Sequence, residues 1–167
     1  YEPGDEQAWV AIHRLADLHN PASSALFEQQ FAEARPELPQ RQFYLLDPSN
    51  EPVGTATAWF GRRAPTGPLV GRVHWVAVVP REQGRGLSKP LLSAVCSRLR
   101  DLGYREAYLT TSTLRVPALN LYFAYHFLPE AARRKRDVEP EPSGDASPHP
   151  CADEGAAKPG SRRQRRP

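Results

Sequence analysis

Apolar and polar positions at the start of the chain alternate with the period of two amphipathic helices. In the first, DEQAWVAIHRLADLHN, Asp5 stands where a helix cap is expected and Asn20-Pro21 stops the helix. The second helix is predicted over residues 24–34, and Pro36 ends it. The predicted buried face of the first helix consists of Trp9, Ile12, Ala16 and His19.

Strand patterns follow. The segments RQFYLLD and VGTATAWF flank the turn PSNEP and predict a β-hairpin, and LVGRVHWVAVV predicts a long central strand. EAYLTT predicts another strand, and VPALNLYFAYHF predicts a short helix that runs into a last strand. Alternation in the second hairpin strand places on one face Val53, Thr55, Thr57 and Trp59.

One further amphipathic helix is predicted between the central strand and EAYLTT. It covers residues 87–102, because Pro90 fits only a first turn and Gly103 suits the position just past a helix end. Its apolar stripe holds Leu91, Val95, Leu99 and Leu102. The order of elements therefore predicts an α/β domain with a mixed sheet, in which a helical crossover joins the last two clear strands.

The end of the chain has a different composition. Beyond Arg133 the only large apolar residue is Val138, and Pro, Gly, Ser and charge dominate, so this segment cannot bury enough surface to offset its ordering entropy. We predict a domain over residues 1–130 and a disordered Pro/Arg-rich tail over 131–167. Residues 1–132 carry equal numbers of acidic and basic side chains, so the net charge of +3 belongs to the tail. The domain offers no basic field for nucleic acid.

Cysteine usage and hydropathy exclude other classes. Cys96 falls in a helical pattern and Cys151 in the tail, so neither a disulfide framework nor a metal site is predicted. The chain contains no run of about 18 apolar residues and no signal-peptide pattern. We therefore expect a cytoplasmic protein with no membrane partner.

Two glycines in VPREQGRGLSKP separate the central strand from the helix that follows. The first N–H groups of a helix have no intrahelical partner, so such a turn forms an anion site, and Gly84 and Gly86 leave room for a phosphate. The nucleotide loop G-x-x-x-x-G-K-[ST] does not fit, because Lys89 directly follows Ser88 and not a glycine, and no glycine stands five residues before Ser88. The dinucleotide fingerprint G-x-G-x-x-G does not fit either, because Lys89 occupies its third glycine position.

The same stretch resembles the acetyl-CoA loop, [QR]-x-x-G-x-[GA], of the GNAT superfamily of N-acetyltransferases. Gln83 matches the leading position and Gly86 the central glycine, whereas Ser88 stands where the family usually has Gly or Ala. VHWVAVVP resembles the family's fourth strand, and GYREAYLTTSTLRVPALNLYFAYHF resembles its fifth strand and following helix. LYFAYHF matches L-Y-x-x-x-G-F, with His126 in place of the glycine. The resemblance covers about residues 4–128.

This resemblance implies a mixed, mostly antiparallel central sheet with helices on both faces. The sequence shows no clear counterpart of the family's first and last strands, which leaves open that the sheet lacks them. The family uses acetyl-CoA as co-substrate and no metal, and its fourth and fifth strands splay apart around the pantetheine arm. The resemblance therefore implies that the backbone of Val76, Ala77 and Val78 pairs with that arm. The pyrophosphate would sit on the N–H groups of Gln83, Gly84, Arg85, Gly86, Leu87 and Ser88.

Catalytic roles follow from the same resemblance. It assigns Tyr122 to the departing thiolate, and a backbone N–H near Val78 is the natural oxyanion donor. Strand alternation places His74 on the side of Val76 and Val78, and an imidazole with a pKa of about 6.5 suits accepting the amine proton. Ordered water is the alternative base. His13 is assigned to a surface helix, without a role.

We thus predict an acetyl-CoA-dependent N-acetyltransferase that acetylates a primary amine of a small molecule or protein by direct attack in a ternary complex. The alternative hypothesis is an inactive GNAT-like module that binds CoA or acts in protein interactions. A nucleic-acid binder is disfavoured, because the basic tail has no aromatic residues for stacking. The acceptor is not predicted, and a homodimer is left open.

Overall fold

The chain begins with helices and continues into a four-stranded sheet, within the residues that the structure describes, 1–17 and 22–130. The structure is a computed structural model, and the fold lies within Tyr1–Pro129. Two 3-10 segments, Ala32–Glu37 and Pro80–Glu82, connect regular elements. The elements are α1 (Glu6–Ala16), α2 (Ser24–Phe31), α3 (Leu38–Arg41), β1 (Gln42–Leu46), β2 (Pro52–Arg62), β3 (Leu69–Val78), α4 (Ser88–Asp101), β4 (Ala107–Tyr108) and α5 (Val116–Ala124).

The sheet is mixed, as predicted, with strand order β1-β2-β3-β4. The first three strands are antiparallel, whereas β4 is parallel to β3 and is reached through the crossover helix α4. The strand predicted for EAYLTT is too long, because β4 pairs with β3 only at Gly71↔Ala107 and Arg72↔Tyr108. The two strands therefore meet at the start of β3, and among the described residues they do not pair along the rest of its length.

Helices cover both faces of the sheet, which confirms the predicted layers. On one face, α1 and α2 bury an aromatic cluster that includes Trp9, Phe27, Phe31 and Trp59. On the other face, α4 packs on small and β-branched strand residues, with Leu92 and Val95 fully buried. The central part of β2 is buried throughout, from Val53 to Trp59. Burying one large apolar side chain contributes about 1.5–3 kcal/mol, so each of these clusters stabilises the fold substantially.

Several predicted element ends need correction. The α-helix α2 ends at Phe31, because Ala34 leaves helical geometry (φ −136°, ψ 37°) ahead of Pro36. Asp5 occupies the position before α1, but its carboxylate accepts from the Glu2 N–H at 2.6 Å and not from the helix. The predicted roles of His19 and Asn20-Pro21, and the predicted tail, lie outside the described residues.

The strand predicted after α5 does not form within residues 125–130. The helix ends in a turn instead, in which the His126 N–H donates to Phe123 O and the Phe127 N–H donates to Tyr122 O, both at 3.0 Å. This is a Schellman ending, with the left-handed residue at His126 (φ 61°). α4 ends in the same way at Gly103 (φ 85°), as predicted.

Candidate active site

The glycine turn between β3 and α4 has the backbone geometry that the sequence led us to expect. Gly84 (φ 75°) and Gly86 (φ 77°) both lie in the left-handed region, which L side chains rarely adopt. Apart from each glycine and its two chain neighbours, no atom of the described residues lies within 4 Å of the position that a Cβ would take at either glycine. The space in front of the turn is therefore open to a ligand.

The turn presents a run of unpaired donors. Within the described residues, no backbone acceptor is recorded for the N–H groups of residues 84–88, and the first such bond comes from Lys89 N–H to Gly86 O at 3.0 Å. These groups stand at the start of the fourteen-residue helix α4, where the helix dipole adds partial positive charge. Backbone donors in this arrangement bind an anionic group such as a phosphate.

Gln83 connects the turn to the end of the central strand. Its side-chain Nε2 donates to the Val78 carbonyl at 2.8 Å. The Val79 N–H donates to Val53 O at 2.9 Å, on the β2 side, so the Val78 carbonyl points the opposite way. Gln83 thus fixes the loop to the strand through its side chain, while the resemblance had assigned it a backbone role.

The open edge of β3 lies beside this turn. A residue's N–H and C=O point to the same side of a strand, so the Val78 N–H also faces away from β2, and by alternation so does that of Val76. On that side β4 pairs only at the start of β3. The strands thus leave a gap next to Val76 and Val78, where an extended ligand could pair.

A β-bulge at Trp75 overturns the predicted orientation of His74. Thr55 pairs with Ala77 but Thr57 pairs with His74, so β3 carries one extra residue there, and Trp75 has a φ of 50°. Val76 and Val78 pack in the α4 cluster, whereas His74 contacts Phe31 of α2. Strand alternation alone placed His74, Val76 and Val78 on the same side of the sheet. The extra residue of the bulge puts His74 on the opposite side from the two valines.

His74 is consequently enclosed on the α1/α2 face. It is 6% exposed, and its Nε2 lies 3.1 Å from Gln30 Oε1, which also accepts from Trp75 Nε1 at 3.1 Å. An amide oxygen only accepts, so His74 Nε2 carries the proton in this pair. Burial, with smaller contributions from Arg72 and His13, lowers the pKa of His74 to about 3.

His13 is the buried polar residue that the sequence interpretation missed. It is 3% exposed, its ring lies 4.4 Å from Trp9 and 5.0 Å from Trp75, and its Nε2 has no partner among the described residues. Burial lowers its pKa to about 4, although Asp17 and the Trp75 backbone act in the opposite direction. The spacing from Trp9 to His13, one helical turn, was the available signal that both face the sheet.

Tyr122 lies on α5 and packs against the α4 cluster, the same cluster that Val76 and Val78 contact. Its ring meets the Phe127 ring edge-on at 6.3 Å. Burial raises the pKa of Tyr122, and the Arg115 charge partly opposes this. The hydroxyl therefore stays protonated at neutral pH and is a hydrogen-bond donor.

The remaining side chains of the loop are those at the start of α4 and those of two arginines. Leu87 precedes α4, whose first residue is Ser88, and no side-chain cap is formed there. The Ser88 hydroxyl, at the first position of the helix, can donate a hydrogen bond. Arg85 pairs with Glu82, and Arg81 lies 3.8 Å from Asp47 and 4.0 Å from Glu82. Both loop arginines are thus held beside the same carboxylate.

Metal binding and membrane insertion also bear on function. No group of three or more His, Cys, Asp and Glu side chains comes together there as a metal ion would require. No helix in residues 1–17 and 22–130 is long and apolar enough to cross a membrane.

A shallow depression of about 640 Å³ lies at the carboxyl end of α4, around Gly103 and Tyr104. It is at the opposite end of α4 from the glycine turn and contains none of the candidate residues.

Comparison with known families agrees with this geometry. The profile of the Acetyltransferase (GNAT) family matches residues 12–127, more than half of the chain. The chain therefore belongs to the GNAT family.

Individual relatives are similar at the level of sequence. The chain is 32% identical over 126 residues to a mycothiol acetyltransferase from Pseudarthrobacter chlorophenolicus, covering 73% of this chain and 39% of that protein. It is 31% identical over 85 residues to N-acetyltransferase 8B from Rattus norvegicus, covering 51% and 38%. The chain thus spans about two fifths of the length of these curated relatives.

Solved structures share the fold at lower identity. The ribosomal-protein-S18-alanine N-acetyltransferase from Escherichia coli has a TM-score of 0.59 and 21% identity, over 75% of this chain and 72% of that one. A NatC complex bound to Gag peptide and CoA has a TM-score of 0.59 and 23% identity, over 75% and 79%. These likenesses concern the fold alone.

Proposed function

We propose that this domain is an acetyl-CoA-dependent N-acetyltransferase, which acetylates a primary amine of a small molecule or protein by direct attack in a ternary complex. The observation that carries this proposal is the row of unpaired N–H groups at residues 84–88, in open space beside the free edge of β3. The relatives named as acetyltransferases support the same reaction.

The residues of the turn and strand would hold the co-substrate. The N–H groups of Gly84, Arg85, Gly86, Leu87 and Ser88 would bind its pyrophosphate, and the Ser88 hydroxyl would add one donor. The Gln83 N–H, which the resemblance also assigned to the pyrophosphate, donates instead to Pro80 O at 3.2 Å. The backbone of Val76, Ala77 and Val78 would pair with the pantetheine arm. Bound acetyl-CoA would supply the activated acetyl group as a thioester.

The reacting groups are backbone and tyrosine donors. The Val78 N–H faces the open edge of β3 and would donate to the acetyl carbonyl oxygen as negative charge develops there. Tyr122, on the same face of the sheet as Val78, would donate to the leaving sulfur. Its raised pKa favours a hydrogen bond over full proton transfer.

We propose water, and not His74, as the acceptor of the amine proton. A group with a pKa of about 3 is protonated only in strong acid, so His74 is a weak base for an ammonium. Its Nε2 is also committed to Gln30. His74 instead helps to hold the bulge that separates Val76 and Val78 from the α1/α2 face.

Replacing Gly86 by Val tests the assignment of the turn. A β-branched residue is strained at φ 77° and fills the space in front of the donors, so acetyl-CoA binding should fall by at least a hundredfold, an effect of about 3 kcal/mol. Isothermal titration measures the affinity, and circular dichroism checks the fold. The same replacement at Gly103, which also has a positive φ but lies at the far end of α4, is the control.

Unchanged affinity in the folded Gly86→Val protein contradicts the co-substrate site. A thiol-release assay over a panel of amines then tests the reaction. Binding of acetyl-CoA without release of CoA for any amine would favour the alternative of an inactive CoA-binding module.

A further inference from the structure

Helix α5 carries Tyr122, yet its apolar contacts hold it loosely. None of its nine residues is fully buried. Val116 and Phe123 are 56% and 49% exposed, and Leu114, just before the helix, is 89% exposed. Packing by Leu121 and Tyr122 against the α4 cluster is only partial. Apolar contact alone therefore leaves the placement of α5 weakly determined.

Polar contacts fasten α5 near its two ends. Before its first turn, Arg115 pairs with Asp17, the residue that follows α1. Past its last turn, the Tyr125 hydroxyl donates to the Lys89 carbonyl at 2.9 Å and lies 2.6 Å from Ser93 Oγ. A tyrosine hydroxyl has one proton, so Ser93 donates to it in turn. The chain of bonds runs from Ser93 through Tyr125 to Lys89.

The contact between Tyr125 and Lys89 is linked to the glycine turn by one further hydrogen bond. The Lys89 N–H donates to Gly86 O at 3.0 Å, so Lys89 joins Tyr125 on one side and the turn on the other. Tyr125 directly follows α5, three residues after Tyr122, and both side chains pack against the α4 cluster. A rotation or shift of α5 that breaks the Tyr125 contact would therefore also move the Tyr122 hydroxyl.

We propose that Tyr125 is a positioning residue for acetyl transfer: its hydroxyl fixes α5 on the first turn of α4 and so sets Tyr122 against the co-substrate. The inference rests on the proposed function, in which Tyr122 donates to the leaving sulfur. Tyr125 itself touches neither acetyl-CoA nor the acceptor in this role. Its effect on the reaction passes through Tyr122.

The test is a double-mutant cycle between Tyr125→Phe and Tyr122→Phe, measured by steady-state thiol release. Tyr122→Phe should lower kcat about tenfold to a hundredfold, because it removes a hydrogen bond to developing charge. Tyr125→Phe should lower kcat about threefold to tenfold with the KM for acetyl-CoA within about twofold, since the loop donors remain. In the Tyr122→Phe background, Tyr125→Phe should change kcat by less than about twofold.

Tyr104→Phe is the matched control. Tyr104 is a half-buried tyrosine that packs against the same cluster, at the far end of α4. This variant should leave kcat within about twofold, on the scale expected for a change remote from the reacting groups. An equal loss in Tyr104→Phe, or a Tyr125→Phe loss that persists undiminished in the Tyr122→Phe background, would overturn the positioning role.

Amide hydrogen exchange over residues 116–124 separates this inference from the proposed function. Tyr125→Phe should raise exchange of these residues in the presence of CoA, while Tyr104→Phe should not. Unchanged exchange would show that the Tyr125 contact does not hold α5 in place. If the unaltered protein acetylates no amine, the proposed function and the catalytic role of Tyr125 fail together. Raised exchange in Tyr125→Phe would then support only the conclusion that Tyr125 holds α5 in place.

Discussion

At the scale of single residues, His126 is the clearest departure from the family pattern. The turn that ends α5 needs a left-handed residue, and His126 supplies it with a φ of 61°. Gly103 fills the equivalent position after α4. A histidine has a Cβ that crowds the following carbonyl in this conformation, and glycine does not.

Replacing His126 by Gly should therefore stabilise the protein. The relief of backbone strain outweighs the greater freedom of glycine in the unfolded chain, and the expected net gain is about 0.5–1 kcal/mol. Urea unfolding measures it. His126→Ala keeps the Cβ and should show no such gain, and an equal gain in both variants would assign the effect to the imidazole and not to the backbone.

At the scale of elements, the loop before α4 combines an anion site with its own carboxylate. Glu82 pairs with Arg85 and lies near Arg81, and both arginines are more than half exposed. A carboxylate here repels phosphate and competes for the two cations. Glu82 accepts from Arg85, and within the described residues it takes no bond from the backbone N–H groups of residues 84–88, which stay available to a phosphate.

Glu82→Gln should accordingly strengthen CoA binding. It removes one negative charge and releases Arg85, which is 65% exposed, and a charge pair at the surface corresponds to about twofold to fivefold in affinity. Titration at low salt should show the gain and titration at high salt should reduce it. Glu106→Gln removes a carboxylate near Arg63, away from the loop, which is 67% exposed where Glu82 is 15% exposed, and it should change nothing. Weaker binding in Glu82→Gln would mean that Glu82 orders the arginines for the phosphate.

The elements also show how far the sequence could predict the site. The strand, the glycine turn and α4 were predictable, because hydrophobic period, Pro90 and the two glycines are local signals. The face of His74 was not, because the bulge at Trp75 lacks the glycine that often marks one. The length of β4 was not either, since β-propensity in EAYLTT does not determine how many residues find a partner.

At the scale of the whole domain, the sheet separates two different interiors. The fully buried side chains of the α4 face are aliphatic, whereas those of the α1/α2 face include aromatic rings together with His13 and His74. Both histidines are neutral when folded, because burial lowers their pKa values from 6.5 to about 4 and about 3. Asp17 and Arg115 act on His13 in opposite directions, and Arg72 and His13 act on His74. The unfolded chain binds these protons more readily than the folded chain.

Stability should therefore be full above about pH 6.5 and should decline as the pH falls toward 4, because protons bind the unfolded state first. Each histidine should lower the free energy of unfolding by roughly 2 kcal/mol between pH 7.5 and pH 5, because the loss is about 1.4 kcal/mol per pH unit below 6.5. Urea unfolding at a series of pH values measures this slope. His13→Leu should reduce the slope by about half, whatever its effect on stability at pH 7.5, because one of two titrating groups is gone. A slope that His13→Leu leaves unchanged would show that other groups cause the acid sensitivity and that His13 is protonated alike in both states.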